Sequence, residues 1–459
     1  MTIPGAKEIE RFFVEVPRYT SYPTAADFSA SVGADAYAAS LRAAATSTGI
    51  PISLYIHLPF CREICAFCGC HALVARTEAR IDRYLQALVR EMDLVRHELG
   101  SARPVSELHL GGGSPSYLSA PAFERVMRAL RDRFSFDAAA TLSLEADPRT
   151  VDREKMTLYR ALGFDRISFG FQDLDPAVQR AIGRNQSAET SRRAYALARE
   201  AGFRSVNVDL CYGLPEQTED TFAQTIADVI ALRPDRIALF GYAHLPHLRP
   251  RQRLIVADAL PTPSARLRMM VDGRDRLLAA GYHAIGLDHF ALPGDDLARA
   301  AATGRLHRNF QGYTTTTTDT LVGLGLSAIS DLPAGYAQNL RSLHAYLEAI
   351  DGGRLPTERG VLRTDDDRVR GEIIRRIMCR FALDLRDVER IFKINFRQSF
   401  APELGELGRL SDDGLVTVEE TRIQLTPLGR VFVRNVASIF DAHRHPAAAG
   451  APARFSMSA

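Results

Sequence analysis

The sequence predicts an α/β protein: a partial (β/α) barrel, preceded by an N-terminal extension and followed by a smaller, mostly helical C-terminal domain. Three observations lead to it. Short β-rich runs alternate with amphipathic stretches from about residue 51 to residue 290. Polar residues recur near the C-terminal ends of successive strand runs. The alternation stops near residue 355, where an arginine-rich helical pattern takes over. Recurring strand–helix units imply a parallel sheet. Roughly six or seven such units suit a full or partial barrel, with a doubly wound open sheet as the alternative.

Residues 1–48 precede any strand run and form the extension. Strand runs follow at ISLYIHL (52–58), ELHLGGG (107–113), TLSLEAD (141–147), RISFGFQD (166–173), SVNVDLCYG (205–213), RIALFGY (236–242) and HAIGLDHF (283–290). Helical periodicity separates them, as in RIDRYLQALVREMDLVRHEL (80–99) and FAQTIADVIALR (222–233). The barrel domain is accordingly placed at 49–355. Glu145, Gln172 and Asp209 fall near the C-terminal ends of the third, fourth and fifth runs, the catalytic face of a parallel barrel. Residues 356–442 form the C-terminal domain, with helix over 366–398 and a turn, two short strands and a helix over 410–436. The tail 443–459 is low in complexity and is expected to lack fixed structure.

Composition narrows the function. The 459 residues carry a net charge of +2, which gives no electrostatic case for nucleic acid or an anionic membrane surface. No apolar run approaches the roughly 20 residues that span a bilayer. The first residues show no basic stretch followed by an apolar one, so a cytoplasmic location is expected. Six cysteines occur and four of them fall within ten residues, the distribution of metal or redox chemistry rather than of a disulfide framework. Cys211 and Cys379 stand alone and read as small buried apolar residues.

The clustered cysteines lie in HLPFCREICAFCGC (57–70), with spacing Cys-x3-Cys-x2-Cys and Cys70 one residue further on. Iron–sulfur clusters are held by thiolates. Three ligands on one loop can hold three irons of a cubane and leave the fourth open. Zinc would ask for a second ligand pair, and none is offered nearby. Were Cys70 a fourth ligand, no iron would remain open, and the spacing by itself leaves both roles possible for it. Downstream, HLGGGSPSYL (109–118) ends a strand run in a glycine loop that lets backbone approach a ligand closely.

At these residues the sequence resembles the radical S-adenosylmethionine superfamily, whose signature is Cys-x3-Cys-x-aromatic-Cys. Phe67 is the aromatic here. The resemblance implies a [4Fe–4S] cluster on Cys61, Cys65 and Cys68, with S-adenosylmethionine chelated at the open iron and cleaved to a 5′-deoxyadenosyl radical. Cys70, NFQGYTT (309–315), GLGLSAIS (323–330), DLCYGLPEQT (209–218) and PRYTSYP (17–23) resemble one family within it, the oxygen-independent coproporphyrinogen III oxidases. That resemblance spans about residues 10 to 440. It implies oxidative decarboxylation of two propionates of coproporphyrinogen III to the vinyls of protoporphyrinogen IX, a step of haem biosynthesis, and two bound S-adenosylmethionine molecules.

Residue by residue, the resemblance places Tyr55, Gly112, Glu145 and Ile329 around the first S-adenosylmethionine. It places Phe67, Gly113, Ser114, Gln172, Arg184, Asp209 and Ala243 around the second. Tyr55, His57, Cys70 and Glu145 are the candidates at the reacting centre. Arg18, Asn309 and Gln311 are candidates for substrate contact, because a substrate with four propionates needs donors and arginine offers a planar fork of them. Ser114 stands where the family often has threonine, Ala66 where it often has tyrosine, and the threonine run 314–318 is unusual. A monomer fed by an unidentified electron donor is expected. Two other functions remain open: another radical enzyme acting on tetrapyrroles, and a haem chaperone relative. The full set of segments favours the oxidase.

Overall fold

The computed structural model describes residues 10–47, 49–100, 103–444 and 455–458. The chain divides into two compact units, one built from Ala25–Asp209 and Thr316–Leu362, the other from Met1–Thr24, Leu210–Thr315 and Arg363–Ala459. These units interleave in sequence and do not coincide with the blocks 1–48, 49–355, 356–442 and 443–459. Among the described residues no helix is long and apolar enough to cross a membrane.

In the first unit, β1 (Ile52–Leu58) runs parallel to β2 (Val105–Gly112) on one side and to Leu321–Leu324 on the other. β3 (Phe136–Ala146) is parallel to β2, and β4 (Arg166–Gln172) is parallel to β3. β5 (Ser205–Tyr212) follows β4 in the strand order and belongs to this unit up to Asp209. Apart from a half-buried Tyr55, every residue of β1 is buried, the signature of a parallel strand covered on both faces. The helix Glu78–Leu99 returns the chain from β1 to β2. It buries Leu85, Leu88, Met92, Val95 and Leu99, spaced three or four apart on one face. Parallel order puts the C-terminal ends of these strands along one edge, where the cysteine loop, Gly112, Gly113, Ser114, Glu145 and Gln172 lie, whereas Tyr55 stands in the middle of β1 and Asp209 three residues before the end of β5. The strands Leu321–Leu324, Ile329–Leu332, Gly335–Asn339 and Thr357–Leu362 form an antiparallel meander, which the strand–helix alternation did not foresee.

In the second unit the seventh run is a hairpin rather than a parallel strand. His283–Gly286 pairs antiparallel with His289–Ala291, which pairs antiparallel with Arg236–Gly241. The chain reverses at Leu287, which takes a left-handed φ of 45°. The helical stretch 366–398 is broken into Asp365–Arg380, Leu385–Phe392 and Phe396–Ser399, because Phe381 closes the first helix in the left-handed region. Tyr19 and Tyr22 join the core of this unit with Ile373, Ile377, Phe396 and Phe432. Tyr19 Oη donates to Asp441 (3.0 Å) and Tyr22 Oη accepts from the Ala442 amide (2.9 Å). Part of the tail is ordered, contrary to expectation: Met457 forms a bridge with Glu15, and Ser458 is fully buried. Low complexity does not prevent order where a buried cation, here Arg434, needs backbone carbonyls. Residues 445–454 of that tail and 1–9 of the extension lie outside the described residues.

One buried charge ties the first unit together. Glu91, 1 % exposed, accepts from the Gly325 amide (2.8 Å), Asn339 Nδ2 (2.5 Å) and Tyr346 Oη (2.5 Å). Burial pushes its carboxyl up to about 7 against these three donors. The folded state therefore binds this proton more tightly than the unfolded chain. Its contribution to stability is complete below the ordinary carboxyl range and is lost as pH rises through about 7. Glu91→Ala strands three buried donors and should cost on the order of 3 kcal/mol in urea unfolding. Glu91→Gln should flatten the fall in melting temperature of the wild type between about pH 5 and about pH 8.

Candidate active site

The cysteine loop leaves the C-terminal end of β1. Phe60–Cys61 pairs parallel with Leu73–Val74, which closes the loop at its base. The Ala66 amide donates to the Ile182 carbonyl (2.9 Å), and the Leu73 amide to the Pro59 carbonyl (2.7 Å). None of the six cysteines is in a disulfide. Burial pushes the Cys61 thiol up to about 12, with Cys68, Asp147 and Cys65 adding to the effect. Cys70 is held well above its ordinary value, first by its hydrogen bond and charge contact with Cys68 and then by burial. Cys70 nevertheless exposes surface, as does Glu145, although both sit deep in the protein mass.

The glycines at the end of β2 are required by the protein's own packing. A Cβ on Gly112, whose φ is +114°, would lie 2.7–2.8 Å from the His57 ring. A Cβ on Gly113 would lie 2.6 Å from the Pro59 carbonyl, and one on Gly111 would lie 3.1 Å from the Glu145 carboxylate. The Gly113 amide donates to Leu58 O (2.9 Å), and the Ser114 amide donates to Phe60 O (2.9 Å). The end of β2 is thus clamped directly onto the start of the cysteine loop.

His57 stands inside this clamp. Its Nε2 lies 2.9 Å from the His71 carbonyl, which can only accept, so Nε2 carries the proton and Nδ1 accepts from Tyr55 Oη (3.1 Å). Burial lowers its pKa to about 4, so the ring is neutral near pH 7. Glu145 behaves in the opposite way. Burial works against its charge, but His109 Nε2 (3.3 Å) and the Gly112 amide (3.2 Å) hold it below the usual carboxyl range. His109 is oriented by Ser143 Oγ (2.7 Å) and lies parallel to the Tyr55 ring at 5.9 Å. Sequence reasoning missed His109. The available signal was its place on the strand whose C-terminal glycines were already singled out, two residues before Gly111.

On the other side of the loop Arg184, 8 % exposed, donates to Cys65 Sγ (3.5 Å), to Gly170 O (2.8 Å) and to Gln186 (3.1 Å). Asp147 lies 3.8 Å away and is paired with Arg149, which also reaches Glu63 and the Arg184 carbonyl. Asp147 and Arg149 were also missed. Ser114 Oγ pairs with Ser116 Oγ (2.9 Å), and both accept from the Asp147 amide. Gln172 ends β4 in the left-handed region at φ 68°, with its amide folded over Gly170. Asp209 accepts from Ser168 Oγ (3.1 Å) and Asn207 Nδ2 (2.6 Å). Phe67 and Ile329 are half-buried. The first unit therefore holds Tyr55, His57, the four clustered cysteines, Phe67, Gly112, Gly113, Ser114, Glu145, Gln172, Arg184, Asp209 and Ile329.

Arg18, Ala243, Asn309 and Gln311 belong to the second unit. Arg18 is paired with Asp288 and lies over the Phe240 ring. The Ala243 carbonyl accepts from Gln252 (3.1 Å). Asn309 and Gln311 flank the tip of a hairpin between His307–Asn309 and Gly312–Thr314, where Asn309 Oδ1 accepts from the Gln311 amide (3.0 Å).

The thiols fit an iron–sulfur cluster. Among the described residues no three His, Cys, Asp or Glu side chains converge on a single metal-ion position. A cubane spreads its thiolates around a larger body than one ion. Burial first, and then the neighbouring Cys68, raise the Cys61 and Cys65 thiols, and a bound cationic group would favour their thiolates. The Arg184 guanidinium against Cys65 Sγ offsets the charge left on such a group.

Comparison with known proteins agrees with this chemistry. Residues 55–229 match the model of the Radical SAM superfamily, and residues 364–432 match that of the HemN C-terminal domain. The chain is 43% identical over 435 residues to the oxygen-independent coproporphyrinogen III oxidase of Pseudomonas aeruginosa, covering 94% of each chain. It is also 43% identical to that of Escherichia coli, covering 95% of this chain and 94% of the other. The solved structure of coproporphyrinogen III oxidase from Escherichia coli, described as a radical SAM enzyme, superposes with a TM-score of 0.90 at 41% identity. The match covers 94% of this chain and all of that one. The fold is thus of the radical SAM type.

The clamp yields a test. Gly112→Ala forces a side chain into the His57 ring at a left-handed φ and should destabilise the protein by about 2–4 kcal/mol. Iron content after anaerobic reconstitution should fall with it. An exposed glycine with open space around it, Gly294, should tolerate alanine.

Proposed function

The chain belongs to the oxygen-independent coproporphyrinogen III oxidase family, and from that membership we infer that it converts coproporphyrinogen III to protoporphyrinogen IX in haem biosynthesis. The observation that carries this inference is 43% identity along 94% of both chains, with the three-cysteine loop clamped at the strand ends. Membership of the radical SAM superfamily carries a [4Fe–4S] cluster and S-adenosylmethionine. Bound together, these supply the one-electron chemistry that removes a hydrogen from a propionate side chain. Each propionate then loses carbon dioxide and one further electron and becomes a vinyl group. An electron donor and a final acceptor are both required.

Cys61, Cys65 and Cys68 would hold the cluster, and Arg184 would offset its charge through Cys65. Glu145, kept ionised by His109 and Gly112, accepts hydrogen bonds from a cationic or hydroxyl-bearing part of the first S-adenosylmethionine. Tyr55 and Ile329 line the same site. Asp209 offers a carboxylate to a second S-adenosylmethionine, with Phe67, Gly113, Ser114 and Gln172 beside it by their match to the family. Two cofactor molecules suit a reaction performed on two propionates. His57, neutral and locked, positions Tyr55 rather than carrying protons. Cys70 stands beside Cys68 without ligating. Arg18, Asn309 and Gln311 meet the propionates. The enzyme works as a monomer in the cytoplasm.

Anaerobic turnover of coproporphyrinogen III should release two carbon dioxide per product, following the stoichiometry of two propionates. Serine at Cys61, Cys65 or Cys68 should abolish the brown absorbance, whereas Cys70→Ser should keep the cluster and lose turnover. Full iron retention in any of the three ligand variants would refute the ligand set. Asp209→Ala should spare the tighter of two S-adenosylmethionine binding events in equilibrium dialysis and weaken the other. A single event in the wild type would refute the second site.

A further inference from the structure

A cavity of about 460 Å³ lies inside the second unit. Apolar side chains such as Leu239, Met270 and Phe290 share its walls with Arg18, Arg266 and Arg434. Asp288 also lines it, and this carboxylate is already engaged by Arg18 and His289. The cations are therefore in excess.

Arg434 is the least compensated. It is 2 % exposed, and each hydrogen-bond partner it has among the described residues is a neutral oxygen. These are the carbonyls of Val16 (3.0 Å), Ser458 (3.2 Å) and Met457, and the hydroxyl of Ser456 (2.9 Å). Burial and the nearby Arg18 pull its pKa down to about 9, which leaves it cationic near neutral pH. Arg266 gives one nitrogen to the Tyr242 carbonyl, and its buried Nε has no partner among the described residues. A buried guanidinium favours a carboxylate, whose two oxygens match its fork and its charge. Carbonyls satisfy its donors but leave the charge uncompensated.

Three of the four partners of Arg434 come from one short segment, Ser456–Ser458, and the same three residues line the cavity. The segment is held as an added strand would be. The Val16 amide donates to Ser456 O (3.3 Å), Met457 bridges Glu15, and Ser458 Oγ donates to Phe12 O (2.5 Å). We propose that the cavity is a binding site for a carboxylate-bearing ligand and that Ser456–Ser458 is its built-in occupant, displaced when a carboxylate takes Arg434. With the activity inferred above, on which this clause rests, the ligand is a propionate-bearing tetrapyrrole. The segment then gates its entry. Being tethered, the segment competes at a high effective concentration without strong contacts of its own.

Coproporphyrin III, the stable oxidised tetracarboxylate, serves as the probe, read by fluorescence without turnover. Deleting residues 455–459 should tighten its binding by at least about tenfold, because the site no longer has to open. Arg434→Gln should erase the difference between full-length and shortened chains. In the intact wild type, the probe should speed amide hydrogen exchange across 456–458, a readout that needs no variant to fold. Equal affinity in both chains, or unchanged exchange on probe binding, would overturn the proposal. So would no binding of the probe by either chain. Anaerobic vinyl formation, measured in parallel, tells these failures apart from failure of the oxidase function itself.

Discussion

A side chain at residue 113 has nowhere to go. Its Cβ would lie 2.6 Å from the Pro59 carbonyl, in the turn that launches the cysteine loop. This contact fixes the separation of β1 and β2 at their C-terminal ends. Much of the candidate site follows from it. Gly112, one residue earlier, carries its backbone past the His57 ring and presents its amide to Glu145. His57, pinned by the His71 carbonyl, offers Nδ1 to Tyr55. Glycine here lets two backbone segments of the protein touch. Backbone-to-backbone clamping is stiff, and a loop that must hold three thiolates in fixed relation needs a stiff base.

Charge is arranged around that loop in two layers. On one side Arg184 meets Cys65 and is backed by Asp147 and Arg149, so a buried cation stands where a thiolate-bound group would leave negative charge. On the other side Glu145 stays ionised despite its burial, because His109 and a backbone amide hold the charged form. One flank is suited to an anionic metal group, the other to a cationic ligand. Both groups are supported by partners with no other evident task, which keeps their positions from depending on solvent.

The second unit follows the same rule with a different solution. Arg434 is buried without a carboxylate, and backbone carbonyls of a segment distant in sequence satisfy its donors. The order of that segment follows from the arginine rather than from its own composition. Neutral acceptors meet the geometric demand of a guanidinium and leave its charge for a ligand to meet.

The local sequence determined what needs only chemistry and periodicity. The thiol spacing, the alternation of strand and helix, and the strand-end positions of Glu145 and Gln172 are all local patterns, and the structure has the strands β1 to β5 close to where the pattern puts them, though β5 runs on past Asp209. Tertiary structure decided what depends on contacts distant in sequence. His109 matters because Glu145 on the next strand faces it, and Asp147 and Arg149 matter because Arg184 arrives from another loop. The seventh run became a hairpin because Leu287 turns left-handed, and the interleaved units reflect which apolar faces found one another. Periodicity reports which face of a segment is apolar. It carries no information about which other segment covers that face, since burial is non-directional and only the folded packing selects among equally apolar partners.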